Sequence, residues 1–155
     1  MNQILVIGYG NTLRGDDGAG VAAAERIARR FPQVDVMTVH QLQPELAETI
    51  AWYSTVFFVD ASVSARDIEM TPLAHLPGAR PEGTHASTPA TLVALSNELY
   101  GRVPDTVFLG AIPASSFEHA ESFSRLTAEK VEEFIDRFAL QLHDLRTACT
   151  ATVHE

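Results

Sequence analysis

The sequence predicts one α/β domain built on a largely parallel sheet, and three observations carry that reading. Apolar runs of strand length alternate with helical patterns, the trace that repeated strand–helix units leave in a chain. A glycine-rich loop, residues 8–20, joins the first apolar run to the first helical pattern. The 155 residues are 46% hydrophobic and 20% charged, the size and composition of one globular domain with a real core.

The first strand is Gln3–Gly8. The helix after the loop runs from about Gly18 to Arg30, with Val21, Ala24, Ile27, Ala28 and Phe31 expected on its inward face. Val34–His40 reads as a second strand. Pro44, suited to a first helical turn, is expected to open a helix whose Leu46, Ile50 and Tyr53 share a face. Thr55–Asp60 is the most apolar strand and ends on an acid. Asp67–Pro72 is a short strand. Thr88-Pro89 starts a helix with Leu92, Leu95 and Leu99 expected inward, and Gly101 is placed to stop it. Thr106–Ala111 is another buried strand. The last helix, from about Ala128, carries Val131, Phe134, Ile135, Phe138, Leu142 and Leu145 at helical spacing. The domain is expected to span residues 1–146, with 147–155 a frayed, flexible tail. Residues 76–88 and 113–125 are long loops, and long loops in compact domains tend to be functional.

Eleven basic against twenty acidic residues give a net charge of −9, which argues against a nucleic-acid partner. The one lysine, Lys130, lies in the last helix, so Schiff-base and P-loop chemistry are set aside. The one cysteine, Cys149, excludes an internal disulfide framework and a cysteine-rich metal site. The chain opens directly into a strand pattern, and no apolar run approaches the roughly 18 to 20 residues that span a bilayer. A cytoplasmic protein with no membrane partner is the expectation.

Ligands of parallel α/β sheets bind beyond the carboxyl ends of the strands, where strand order switches direction. The glycine-rich loop and Asp60 both fall there. Gly8-x-Gly10 begins like a dinucleotide fingerprint, but position 13 is Leu where a third glycine belongs, and Asp16 and Asp17 occupy the place of the phosphates. An acid there also suits helix capping, an account that explains one of the two acids and is open for Asp16. Asp17 is free to point into the cleft. If Asp17 and Asp60 end adjacent strands, their charges need a cation, a shared proton or water, and a metal is the simplest resolution. His85, in the loop before Thr88-Pro89, is the candidate third ligand. Two carboxylates and an imidazole form a borderline site for Ni, Zn, Mn or Fe. An aspartic dyad of Asp17 and Asp60 remains open, without the Asp-Thr-Gly context. There is no Gly-x-Ser-x-Gly elbow and no His-Glu-x-x-His.

The opening Ile-Leu-Val-Ile-Gly-Tyr-Gly-Asn-Thr-Leu-Arg-Gly-Asp-Asp-Gly-Ala-Gly-Val resembles the signature of the nickel-dependent hydrogenase maturation endopeptidases, a strand followed by G-x-G-N-x-L-x-x-D-[DE]-G-x-G. Gln41–Glu48, Phe58–Ala61 and Thr84–Ser87 agree in order and spacing, so the resemblance covers roughly residues 3–135. It implies an endopeptidase that removes a C-terminal extension from the precursor of a [NiFe] hydrogenase large subunit after nickel insertion. It implies that Asp17, Asp60 and His85 contact that nickel and carry catalysis, with Asp17 the first candidate for a general base. The nickel is the substrate's, and zinc or cadmium would stand in for it in the isolated protein, expected to be a monomer. A non-catalytic nickel-dependent checkpoint and a small metal-dependent hydrolase are the rival readings. Two departures stand out. The second loop acid is Asp17 where many relatives have Glu. Ile112 replaces a polar residue in Gly110-Ala111-Ile112-Pro113, which leaves Ser115, Ser116 or Glu118 to take over any substrate contact.

The fold expected in full is a three-layer α/β/α sandwich around a five-stranded, mostly parallel twisted sheet. By resemblance, the strand near Asp67–Pro72 is its antiparallel member.

Overall fold

The computed structural model describes residues 3–12, 15–73, 87–115 and 124–151. Its strands are β1 (Ile4–Tyr9), β2 (Asp35–Val39), β3 (Thr55–Ser62), β4 (Glu69–Pro72) and β5 (Thr106–Pro113). Its helices are α1 (Ala19–Arg30), α2 (Leu46–Ile50), α3 (Pro89–Tyr100) and α4 (Arg125–Ala151), and a 3-10 turn, Gly15–Gly18, leads into α1. The strands form one sheet in the order β2-β1-β3-β5-β4. All neighbours run parallel except β4, which pairs antiparallel with β5. The expected five-stranded sheet with one antiparallel member is therefore the observed one.

A parallel sheet is covered on both faces, which is why its strands read as unbroken apolar runs. One face, with Val6, Phe57, Val59, Phe108 and Ile112, packs against Ile27 of α1 and Phe134 and Phe138 of α4. The other, with Leu5, Ile7, Val56, Phe58 and Val107, packs against Ile50 of α2 and Leu92 of α3. Phe57 is the hub of the first layer: its ring stacks on Phe108 at 4.7 Å and meets Phe138 edge-on at 4.9 Å. Burying one such ring contributes on the order of 2–3 kcal/mol. Arg26–Glu132 and Arg30–Asp136 join α1 to α4 at the surface, where ion pairs contribute little. Lys130 bridges Asp67 and Glu133 at 3.0 Å each.

The departures from the sequence reading have local causes. β3 and β5 each run two residues past their expected ends at Asp60 and Ala111, because their pairing continues through Ala61↔Ile112 and Ser62↔Pro113. Asp60 therefore lies inside a strand, not at its end. Pro44 precedes α2: it sits in a turn where its carbonyl accepts the Ala47 amide, and the helix itself is only five residues. Tyr53 lies beyond that helix, its hydroxyl donating to Asp35 at 2.8 Å. Ala28 is exposed. Leu99 is 60% exposed because the whole last turn of α3, Asn97–Tyr100, faces solvent. Helical periodicity reports a buried face only where another layer covers the helix. Gly101 does end α3, in the left-handed conformation. α4 begins at Arg125 and continues through Ala151, so residues 147–151 are helical where a tail was expected. The Thr147 and Thr150 hydroxyls donate back to the Asp144 and Thr147 carbonyls there. Cys149 is exposed on this last stretch. Among the described residues, no helix is long and apolar enough to cross a membrane.

The first turn of α1 lies directly on the sheet. A Cβ added at Gly20 would sit 2.3 Å from the Val59 carbonyl oxygen, far inside contact distance. Gly20→Ala is expected to lower stability by about 2–3 kcal/mol, the range of an overpacked core. Urea denaturation checks this, and a loss below about 0.5 kcal/mol would contradict the close approach.

Candidate functional site

The sheet order places the switch point between β1 and β3, the crevice where ligands of such sheets bind. Gly8 pairs with Val59, so the next residues, Tyr9 and Asp60, are cross-strand neighbours. Side chains alternate along a strand. Tyr9 and Asp60 therefore fall on the face that carries Leu5 and Ile7 in β1 and Val56 and Phe58 in β3, the α2/α3 side.

Asp60 is half-buried. Its Oδ1 accepts the Ala61 amide at 2.8 Å, and the Tyr9 hydroxyl donates to the same carboxylate. Burial pushes the Asp60 carboxyl up to about 6, and the negative charge of Asp17 adds to that rise. The Ala61 amide and the Tyr9 hydroxyl oppose it without cancelling it. The Tyr9 phenol is itself raised, first by burial and then by Asp60, so it stays protonated and acts as a donor.

Asp17 comes from the 3-10 turn, which packs against β3. The Asn11 amide donates to its Oδ2 at 3.0 Å. Gly10 has φ +143°, and a Cβ there would lie 2.0 Å from the Asp17 carbonyl oxygen. The glycine loop is thus pressed against the backbone of the residue it presents. Two carboxylates whose charges act on one another, one of them partly desolvated, form a donor set that favours a cation.

Asp16 does something other than cap its own helix. The N-cap of α1 is Gly18, with no side-chain hydrogen bond. Asp16 is 1% exposed, and its carboxylate reaches across to residues 99 and 108 positions away. Oδ1 accepts the Ser124 amide at 2.8 Å. Oδ2 accepts the Ser115 amide at 2.8 Å, the Ser124 hydroxyl at 2.9 Å and the Ser115 hydroxyl at 3.1 Å. Burial works against the charge, but the Ser124 and Ser115 amides, with the Thr127 and Ser124 hydroxyls, hold this carboxyl well below the ordinary carboxylate range. Ser115 follows β5 and Ser124 precedes α4, so Asp16 ties the first loop to both. Ser124 also accepts the Thr127 amide at 3.3 Å, the bond of a helix N-cap.

Of the three site residues expected from sequence, Asp17 and Asp60 lie near enough for the Asp17 charge to act on Asp60. His85 lies outside the described residues. Among the described residues, no group of three or more His, Cys, Asp or Glu side chains is arranged to hold a metal. Ile112 is fully buried under α1 and α4, so it offers nothing to a substrate. Ser115 is engaged by Asp16, and Ser116 and Glu118 lie outside the described residues. Sequence reasoning missed Tyr9 and the Asp16–Ser115–Ser124 junction. Tyr9 was available from strand alternation once β1 was paired with β3. The only trace of the junction was that serines bracket the second long loop.

No family model and no curated protein matches the chain. Solved structures do. The hydrogenase maturating endopeptidase HybD from E. coli matches with a TM-score of 0.74 at 19% identity, over 92% of this chain and 93% of that one. The [NiFe] hydrogenase maturation protease HycI from Thermococcus kodakarensis matches with a TM-score of 0.68 at 25% identity, over 89% and 90%. A hydrogenase 2 maturation peptidase from a Thaumarchaeota archaeon matches with a TM-score of 0.67 at 20% identity, over 91% and 98%. The chain thus has the fold of the hydrogenase maturation endopeptidases.

Proposed function

We propose that this protein is an endopeptidase that removes the C-terminal extension of a nickel-loaded [NiFe] hydrogenase large-subunit precursor. The observation that carries the reading is the meeting of Asp17 and Asp60 at the β1/β3 switch point of a fold shared with hydrogenase maturation proteases. Asp17, Asp60 and His85 are the residues that contact the nickel, which belongs to the substrate. Zinc or cadmium would take that place in the isolated protein. Oxygen and imidazole donors suit a borderline cation whose remaining ligands come from the precursor. Such a site is incomplete by itself and is completed only when a metallated partner docks. Metal insertion is thereby read before an irreversible cut.

Hydrolysis needs an activated water or a polarised scissile carbonyl. The nickel supplies Lewis acidity at the cleft, and a carboxylate of the pair accepts the proton of the attacking water. Tyr9 donates to Asp60 and keeps its carboxylate oriented from the strand side. The precursor is the one partner the reading needs, and the cytoplasm is the compartment proposed for it.

The test is turnover. With the protein at a molar ratio far below one, nickel-loaded precursor is expected to be processed to completion. Processing that stops at one precursor per protein would favour a stoichiometric checkpoint. Metal-supported turnover of small esters or amides, with the precursor untouched, would favour a general hydrolase.

A further inference from the structure

We infer that Asp16 is a positioning residue that holds the Asp17 carboxylate in place beside Asp60, an inference that rests on the reading of this cleft as the processing site. Asp16 and Asp17 are consecutive in a 3-10 turn. Three residues per turn set successive side chains about 120° apart. One acid can therefore be buried as an anchor while the next faces the cleft.

The turn is gripped from two sides. On the loop side, Gly10 presses on the Asp17 carbonyl and the Asn11 amide holds the Asp17 carboxylate. On the other side, the Asp16 contacts to Ser115 and Ser124 tie the turn to the end of β5 and the start of α4. The Ser115 and Ser124 hydroxyl oxygens also lie 2.9 Å apart, so the two serines close on the same carboxylate oxygen. Both carboxylate oxygens of Asp16 accept, and two of the donors are backbone amides that cannot turn away. An asparagine can accept at one oxygen only. Its amide would face the Ser115 or the Ser124 N–H, and the turn would have to swing to relieve that contact. Asp17, one residue on, swings with it.

The experiment uses Asp16→Asn, with circular dichroism to establish the fold, and reads two quantities. The first is the Asn11 amide proton shift by NMR in the free protein, which reports the bond to Asp17. The second is the kinetics of precursor processing. The expected result is an Asn11 resonance moved toward its position in Asp17→Asn. It comes with kcat lowered about 100-fold at a KM within about twofold, the signature of a misplaced reacting group. Ser124→Thr, which keeps the hydroxyl, is expected to stay near the wild-type rate. An unmoved Asn11 resonance with unchanged kcat in a folded Asp16→Asn protein would overturn the inference, whatever its thermal stability. If Asp16→Asn does not fold, Ser115→Ala removes one hydroxyl and keeps both amides. The same readouts then decide, with a kcat loss of roughly 3- to 10-fold expected. The Asn11 shift is read without substrate. A wild-type protein that processes nothing would overturn the proposed function while the shift still decides the role of Asp16.

Discussion

Asp60→Asn is expected to abolish processing and, at pH 7, to make the folded protein more stable. The first effect follows from removing a charged donor from the pair proposed to contact the nickel, a loss on the order of 1,000-fold or more. The second follows from the raised carboxyl of Asp60, lifted to about 6 by burial and by Asp17. A carboxyl that binds its proton more tightly when folded favours the native state at low pH. That advantage is lost as pH rises from the ordinary 3.8 through about 6. Above that window the ionised, partly desolvated Asp60 works against folding. Asparagine removes the charge and keeps an acceptor for the Ala61 amide. With solvent screening at this half-buried site, the gain is about 1–2 kcal/mol. Chemical denaturation at pH 5 and pH 7.5, beside the processing assay, checks both effects. A variant that is inactive and also less stable at pH 7.5 would show that Asp60 holds the fold together, against this account. Asp17→Asn is expected to abolish processing as well.

Asp16→Ala is expected to have the opposite thermodynamic sign. It removes a carboxylate that satisfies two backbone amides and two hydroxyls, and a buried donor left without a partner costs roughly 1–3 kcal/mol. Two orphaned amides and the lost charge-assisted bonds bring the expected loss to about 3–4 kcal/mol at neutral pH. The Asp16 carboxyl is depressed, so its stabilisation is present above the ordinary 3.8 and lost as pH falls toward its folded value. The gap between wild type and Asp16→Ala should therefore be full at pH 6 and narrow steadily below about pH 4. A gap that is constant across that range would mean that ionisation of Asp16 contributes nothing.

These two neighbouring acids show what a sequence can and cannot disclose. The strands and the first helix were legible because both faces of a parallel sheet are buried, so hydrophobicity marks them directly. Asp17 and Asp60 were legible as a pair because the switch-point rule depends only on strand order. The extent of β3 and β5 was not, since backbone pairing carried each of them two residues past the end read from the sequence. Leu99 and Ala28 were misplaced because periodicity describes a helix and not what covers it. Asp16 read as a local cap, and its true partners lie about a hundred residues away. Contacts at that separation leave no periodic trace. Ile112 could be read as a departure from the family pattern, yet only packing showed that it belongs to the core.

The central claim is that the acid pair reads a nickel ion brought by the substrate. The most direct measurement compares nickel-loaded and metal-free large-subunit precursor, each incubated with catalytic amounts of the protein and weighed intact by mass spectrometry. The account predicts loss of the C-terminal extension from the nickel-loaded precursor alone. Equal cleavage of both precursors would contradict it, since Asp17 and Asp60 would then act without any metal to read.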